Sequence, residues 1–254
     1  MKNRATFYSP IYAIYIVLIL GCSAPKPDDQ HAEDETLYTL PGLDHGLIQS
    51  PINILTSTLQ DASTHEIEVT TIHDDKVTAV VNKGHTIELE FEPGTEVLFD
   101  GKYYDFKQAH FHTPSEHQID GMTFPMELHF VCSHKELNQE KPEYLVIAAF
   151  FKMGKENKFI DGFIDKIPAH EYDTVSIADT PVYVEDLIGD INPDRKYYYY
   201  KGSLTTPPYT ETVNWLILRD IVEASPEQIK IINDLEGNNA RHVQAMFGRE
   251  IEAN

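Results

Sequence analysis

The sequence predicts a mainly β domain, in which a central, twisted and mostly antiparallel sheet carries small peripheral helices. Short segments with alternating or β-branched side chains dominate the chain. Turn signals such as Asn82-Lys83-Gly84 and Asp100-Gly101 separate these segments, and helical patterns are few. The predicted strands are residues 66–71, 77–82, 86–91, 96–99, 103–112, 126–132, 144–151, 197–200 and 213–218.

Two segments have the periodicity of helices rather than strands. Residues 158–167 place four apolar side chains on one face: Phe159, Ile160, Phe163 and Ile164. Residues 225–235 begin with Ser225-Pro226-Glu227, which is typical of a helix start because serine caps free amide groups and proline fits the first turn. We expect both helices to lie at the edge of the sheet.

Length and charge limit the classes of function. The chain has 254 residues, 41% of them hydrophobic and 24% charged, which suits one globular domain with a sizeable core. Its formal net charge is −21. A surface this acidic repels nucleic acid and offers no polybasic patch to anionic lipid, so a nucleic-acid partner is not expected.

The N-terminus has the pattern of an export signal. Lys2 and Arg4 precede an apolar run at residues 11–20, which is too short to span a bilayer comfortably. The run ends in Leu20-Gly21-Cys22, which resembles the cleavage site of bacterial lipoproteins, where the cysteine is lipidated. An ordinary secretory signal or an N-terminal anchor helix remains an alternative.

We therefore expect export to the periplasm or cell envelope, with membrane attachment through a lipid on Cys22. The polar, acidic and proline-containing residues that follow are typical of a flexible tether. The predicted organisation is a signal peptide at residues 1–21, a tether at 22–38 and one domain at 39–254.

Two predicted strands carry a metal-ligand pattern. Alternate side chains of a strand share a face, so Gln108, His110 and His112 project to one side, as do Glu127 and His129 in the second strand. Three neutral imidazoles would leave a tetrahedral Zn²⁺ one open position for water, as in a catalytic site. Gln108 and Glu127 each lie two residues from a candidate ligand and could fix its tautomer. The alternative is a set of surface or hydrogen-bonded core histidines.

Several motifs resemble those of the α-class carbonic anhydrases, and together they extend over nearly the whole predicted domain. The segments that carry the resemblance are Gln49-Ser50-Pro51-Ile52-Asn53-Ile54, Asn82-Lys83-Gly84-His85, Ser115-Glu116-His117 with Ile119 and Phe124, Glu127-Leu128-His129-Phe130-Val131, Gly202-Ser203-Leu204-Thr205-Thr206-Pro207-Pro208 with Trp215, and Asn239-Ala240-Arg241.

This resemblance implies hydration of CO2 to bicarbonate and a proton by a zinc-bound hydroxide, with His110, His112 and His129 as the metal ligands. It implies that Thr205 donates a hydrogen bond to Glu116 and orients the hydroxide. It also implies that His85 is the proton shuttle, a role that suits an imidazole because its ordinary pKa lies near neutrality. The CO2 pocket would be formed by Val131, Val146, Leu204, Thr206 and Trp215.

One departure from the family pattern concerns the scaffold, namely a missing disulfide. Many secreted bacterial members have a cysteine directly after the double proline, where this chain has Tyr209, and the N-terminal partner cysteine is missing too. Cys132 differs in strand parity from His129, so we expect it to be a small buried hydrophobe and not a ligand. Other packing must then replace the disulfide, and dimerisation remains an open alternative.

Two further functions remain as alternatives. Some relatives in the family are catalytically silent recognition modules, but those have lost zinc ligands, whereas this chain has all three. An esterase side activity is also conceivable, because the same hydroxide could attack activated acyl carbons.

Overall fold

The computed structural model describes residues 46–61, 65–71, 76–134, 141–188 and 196–254. The predicted signal peptide at 1–21, the tether at 22–38 and the candidate lipidation site Cys22 lie outside these residues. Within the described ranges, no helix combines the length and the apolar character needed to cross a membrane.

A large, twisted mixed sheet forms the centre of the domain. Its strands follow the order β12-β4-β5-β7-β10-β11-β14-β13-β16-β2, with β15 paired to β11 and the β3–β6 pair attached to β7. A small second sheet has the order β1-β8-β9. The strands are β1 Asn53–Ile54, β2 Gln60–Asp61, β3 Ile67–Thr71, β4 Val77–Asn82, β5 Ile87–Phe91, β6 Thr95–Phe99, β7 Lys102–His112, β8 Gln118–Ile119, β9 Met122–Thr123, β10 Met126–His134, β11 Glu143–Met153, β12 Thr174–Ser176, β13 Tyr197–Gly202, β14 Val213–Leu218, β15 Val222–Ala224 and β16 Glu252–Ala253.

Most strand pairs are antiparallel, as the sequence predicts. The parallel exceptions in the large sheet are β11 with β14, β11 with β15, and β16 with β2. Strands β4 and β14 have the predicted bounds, and β7, β10 and β11 extend one to three residues beyond their predicted ends. These strands have clear alternation or continuous β-branched and aromatic runs, which favour a pleated, half-buried surface.

The helices are short and lie outside the sheet: α1 Lys158–Asp161, α2 Glu185–Ile188 and α3 Pro226–Glu236. The predicted helix at 158–167 is wrong in its extent, because α1 ends before Gly162 and a separate 3-10 turn follows at Ile164–Lys166. The predicted N-terminus of α3 is confirmed. Ser225 accepts from the Gln228 amide, and the Gln228 side chain accepts from the Ser225 amide, which together form a capping box.

The two faces of the large sheet pack against different apolar clusters. Ala109, Phe111 and Cys132 are fully buried in the larger cluster, on the face opposite the histidines, as the strand parity predicts. The smaller cluster includes Trp215 and Val146 and lies on the same face as the histidines. The candidate site is therefore built on the rigid centre of the sheet, between strands with long hydrogen-bonded ladders.

Candidate active site

Strand register brings the three candidate ligands together. Strands β7 and β10 pair antiparallel with His110 directly opposite His129 and with His112 opposite Glu127. Side chains at directly opposed positions share a face and lie close together. Each of His110, His112 and His129 offers a ring nitrogen, and these nitrogens all lie within 4.8 Å of one another.

Hydrogen bonds fix the tautomers of two of these rings. His110 donates from Nδ1 to Gln108 Oε1 at 2.9 Å, because a carbonyl oxygen only accepts, and His129 donates from Nε2 to Glu127 Oε1 at 2.8 Å. The Nε2 atom of His110 and the Nδ1 atom of His129 are thereby left as acceptors. The Nε2 atom of His112 is buried and has no hydrogen-bond partner among the described residues. A buried nitrogen without a partner is costly, and a metal ion would satisfy it.

The surroundings keep the imidazoles of His110 and His112 in the neutral form that a metal requires. Burial lowers the pKa of His110, and the neighbouring rings of His112, His129 and His85 lower it further. Burial also lowers the pKa of His112, and electrostatic repulsion from the neighbouring His129 ring lowers it further. Neutral imidazole is the ligating form, so this part of the sheet is prepared for a cation rather than for protons.

Glu127 is a fully buried carboxylate at the centre of a hydrogen-bond network. It accepts from the backbone amides of Glu116 and His117 at 2.8 and 2.9 Å and from His117 Nδ1 at 2.7 Å, in addition to His129. Burial raises its pKa, but the facing His117 and His129 outweigh that effect and hold the pKa well below its usual range. His117 and Glu127 form a second potential metal group with His129, but their facing atoms already bond to one another.

The sequence did not predict the far end of this network. His117 accepts through Nε2 from the Tyr200 hydroxyl at 2.6 Å. That hydroxyl also lies 2.9 Å from Ser50 Oγ. Tyr200 lies 83 residues away from His117 in the sequence, so no local pattern marks it. The sequence indicated these partners only indirectly. A buried Glu127 carboxylate needs more hydrogen-bond donors than its own strand supplies, so other segments must contribute them.

Glu116 faces the same group of nitrogens from the segment after β7. Its Oε2 lies 3.4 Å from His112 Nε2 and 3.9 Å from His129 Nδ1, and its Oε1 accepts from the Arg241 amide at 2.9 Å. Burial raises the pKa of Glu116, whereas His129, the Arg241 amide and the Thr205 side chain lower it. The structure therefore places Glu116 and Thr205 together beside the candidate ligands.

Comparisons with known proteins agree with this geometry. A family model for eukaryotic-type carbonic anhydrases matches residues 40–254. A carbonic anhydrase of Pectobacterium carotovorum is 35% identical over 207 residues, which are 81% of this chain and 80% of that protein. One of Neisseria gonorrhoeae is 36% identical over 209 residues, or 81% and 77% of the two chains. The chain belongs to the carbonic anhydrase family.

Solved structures extend the agreement to three dimensions. The α-carbonic anhydrase of Thermovibrio ammonificans, in complex with the inhibitor sulfanilamide, superposes with a TM-score of 0.72 at 34% identity and covers 82% of this chain and 87% of that one. The protein is thus an enzyme of the lyase class, and CO2 and bicarbonate are its substrates as a carbonic anhydrase.

An apolar wall stands beside the histidines of this carbonic anhydrase. Val131 lies opposite Gln108 and Val146, and Val146 lies opposite Trp215, so these side chains continue the face that carries His129. Trp215 is 1% exposed, and its Nε1 donates to the Ser203 carbonyl at 3.0 Å. Four of the five predicted pocket residues belong to this wall: Val131, Val146, Leu204 and Trp215. The fifth, Thr206, has an exposed side chain.

His85 lies in an exposed turn between β4 and β5, which we call the His85 turn (residues 83–86). Gly84 has φ +83°, and a Cβ there would approach the Glu171 carboxyl carbon to 3.0 Å, so the turn requires glycine. Lys83 lies 3.1 Å from Glu88, which is directly opposite His110 in the sheet. The turn is thereby held at the edge of the histidine face.

A polar cluster lies around Tyr209, the residue that follows Pro207-Pro208. The Arg241 guanidinium lies 3.8 Å above the ring of Tyr209 and donates to Gln49 Oε1 at 3.0 Å and to the Ser50 carbonyl. Gln49 in turn donates to Glu211 at 2.8 Å. The N-terminal and C-terminal segments of the domain are thus held to the loop around Tyr209 by stacking and charged hydrogen bonds.

Proposed function

We propose that this carbonic anhydrase uses Zn²⁺, held by His110, His112 and His129, to hydrate CO2 reversibly to bicarbonate and a proton. The observation that carries the proposal is the buried His112 Nε2, which lacks a hydrogen-bond partner among the described residues and lies within 4.8 Å of two other ring nitrogens. Three neutral imidazoles are the donor set of catalytic zinc sites that keep one position open. When bound there, Zn²⁺ would supply a hydroxide at neutral pH by lowering the pKa of water.

Glu116 and Thr205 orient the attacking oxygen. A Thr205 hydroxyl that gives its one proton to the Glu116 carboxylate can only accept from the reacting species. An attacking oxygen that donates to Thr205 would then have a lone pair free for CO2. Glu116 is itself held in place by the Arg241 amide.

The apolar wall receives CO2. Val131, Val146, Leu204 and Trp215 offer a small nonpolar molecule contact area and no competing hydrogen bond. Bicarbonate, which is charged, gains less from such a surface and leaves it for solvent. This wall thus favours the substrate over the product on the same face of the sheet.

His85 carries the product proton to solvent. Its ring is exposed in the His85 turn, and its charge contributes, after burial and the rings of His112 and His129, to the lowered pKa of His110. An imidazole at that place can accept a proton from water near the histidine cluster and release it to buffer.

Stopped-flow CO2 hydration tests the proposal. The zinc-loaded protein should hydrate CO2, and His129→Ala should lose bound zinc, measured by mass spectrometry, together with at least about 100-fold in kcat/KM. His134→Ala removes a histidine from the same strand, remote from the candidate ligands, and should change neither quantity. Hydration that does not depend on zinc, or full zinc occupancy in His129→Ala, would contradict the proposal. Any esterase side activity, measured with 4-nitrophenyl acetate, should fall in parallel in the same variant.

We further propose, on the sequence alone, that the enzyme is exported and attached to the cell envelope by a lipid on Cys22. The apolar run before Cys22 and the acidic tether after it support this location. Metabolic labelling with a palmitate analogue should mark the wild-type chain and not Cys22→Ser. Release of the unlabelled wild-type chain into the soluble fraction would contradict the attachment.

A further inference from the structure

Glu236 is a buried carboxyl group that the chemistry above does not use. It is the last residue of α3 and only 8% exposed. The C-terminus of a helix is the less favourable end for a negative charge, because the helix dipole is negative there. Stabilisation of its own helix therefore does not explain why a glutamate is buried at this position. Its hydrogen bonds are instead made to residues outside the helix.

Those contacts reach the two residues directly after His85. Glu236 Oε1 accepts from the backbone amide of Ile87 at 2.7 Å and lies 3.1 Å from Thr86 Oγ1. The same Thr86 hydroxyl lies 2.8 Å from the carbonyl of Phe111, which stands between two candidate zinc ligands on β7. Glu236 thus joins the end of the His85 turn to the ligand strand.

Asn239 completes this connection from the segment after α3. Its Nδ2 donates to the His85 carbonyl at 2.9 Å and to the Phe111 carbonyl at 3.1 Å, and it lies 3.4 Å from Glu236 Oε2. The His85 carbonyl and the backbone directly after it are therefore held by one cluster, which consists of the buried Glu236 and Thr86 and the partly buried Asn239.

Burial favours the protonated form of Glu236. The Thr86 hydroxyl has one hydrogen, which it can donate either to the Phe111 carbonyl or to Glu236 Oε1. Thr86 is therefore a shared donor and compensates a buried carboxylate only in part. Burial raises the pKa of Glu236 to about 8, and the groups that oppose this effect are all uncharged, namely the Ile87 amide, Thr86, Thr113 and Asn239.

We propose that Glu236 is a positioning residue for proton transfer, which holds the His85 turn at a fixed distance from the metal-ligand strand. The proposal rests on the shuttle function proposed above for His85. Proton transfer through an imidazole depends steeply on the placement of the ring, so a loosened turn slows the step without altering the conversion of CO2.

Steady-state kinetics separate the two steps. At saturating CO2 every turnover must release a proton, so kcat in weak buffer reports proton transfer, whereas kcat/KM reports the conversion of CO2. Glu236→Ala should lower kcat in weak buffer by about 5- to 20-fold and leave kcat/KM within about twofold. Added imidazole buffer should restore kcat, because it accepts the proton in place of His85.

Two matched variants test the geometry of the cluster. Glu236→Gln, which retains one acceptor and gains donors, should stay within about twofold of the wild-type kcat. Thr86→Val breaks the same connection from the other side and should lower kcat in the same direction as Glu236→Ala. Independently of activity, amide hydrogen exchange at Ile87 should be faster in Glu236→Ala and close to wild type in Glu236→Gln.

His85→Ala distinguishes failure of this inference from failure of the shuttle proposal. If His85→Ala lowers kcat in weak buffer and Glu236→Ala and Thr86→Val do not, the positioning function is wrong and the shuttle stands. If His85→Ala has no effect, the shuttle proposal fails and the inference fails with it. Equal losses of kcat and kcat/KM in Glu236→Ala would also overturn the inference, because they would show damage to the ligand strand.

Discussion

Replacing the buried carboxyl of Glu236 by an amide should make the protein more stable, and the gain should increase with pH. The folded protein raises the pKa of this group from 4.5 to about 8. Below about pH 4.5 both the folded and the unfolded chain carry the proton. Above it the unfolded chain loses the proton while the folded chain keeps it, so wild-type stability falls until the pH passes the folded pKa.

The size of this effect follows from the interval between the two pKa values. The free energy of unfolding of the wild type should fall by up to about 1.4 kcal/mol per pH unit relative to Glu236→Gln. Over the interval from 4.5 to about 8, the difference between the two proteins should approach about 5 kcal/mol.

Urea unfolding of both proteins at matched metal content, at half-unit steps from pH 4.5 to 8.5, measures this difference. Other titrating groups contribute equally to both proteins and cancel. Glu227→Gln changes an exposed glutamate at the start of the same helix and serves as the control for the loss of a carboxyl group outside the buried cluster. A pH-independent difference for Glu236→Gln, or one that shrinks as the pH rises, would refute the reasoning.

Three further predictions concern the scaffold. Arg241→Met removes the cation that stacks on Tyr209 and should lower the free energy of unfolding, measured in urea, by about 2–4 kcal/mol. Tyr209→Leu should cause a smaller loss. Equal stability of Arg241→Met and the wild type would contradict this prediction. Cys132 is fully buried and burial raises the pKa of its thiol, so iodoacetamide at neutral pH should label it only after unfolding, and labelling of the native protein would be the contrary result. Gly202→Ala would place a Cβ 2.8 Å from Tyr200 Cε2 and should lower the melting temperature by at least about 5 °C, whereas an unchanged melting temperature would show that the neighbouring strands yield.

The sequence predicts strands well where the side-chain pattern is long. Strand β4 begins with five consecutive β-branched or apolar residues and β14 ends with four, and the bounds of both agree with the prediction. Strands such as β1 and β16 have two residues each, which is too short for any alternation to be visible. Their existence depends on pairing partners far away in the chain, so only the folded structure reveals them.

The predicted helix at 158–167 failed for a reason that tertiary structure supplies. Its four apolar residues do pack inward, but a Cβ at Gly162 would approach Val182 Cγ2 to 2.6 Å. The close approach of Val182 requires glycine at that position, and glycine is a weak helix former. Gly162 still has helical dihedral angles, but the backbone departs from them at Phe163, where φ is −131°. The periodicity identified the buried face correctly and gave no information about the neighbour that requires glycine.

The candidate site shows the same division between local and distant information. Gln108 and Glu127 could be paired with their histidines because each lies two residues away on the same strand face, and the hydrogen bonds follow that pairing. Tyr200 and Glu236 could not be found in this way. Each reaches the site from a different element, and neither has a neighbour in sequence that would suggest its partner.

The contacts of Arg241 show why activity and stability should be coupled in this chain. Its backbone amide holds Glu116, and its guanidinium donates to Gln49 and stacks on Tyr209 in place of a covalent link. Local opening of the C-terminal segment would therefore release Glu116, which we propose orients the attacking oxygen, before the rest of the sheet unfolds. Loss of CO2 hydration should then occur at a lower urea concentration than global unfolding. The difference between the two urea midpoints measures how firmly this noncovalent cluster holds the C-terminal segment to the domain.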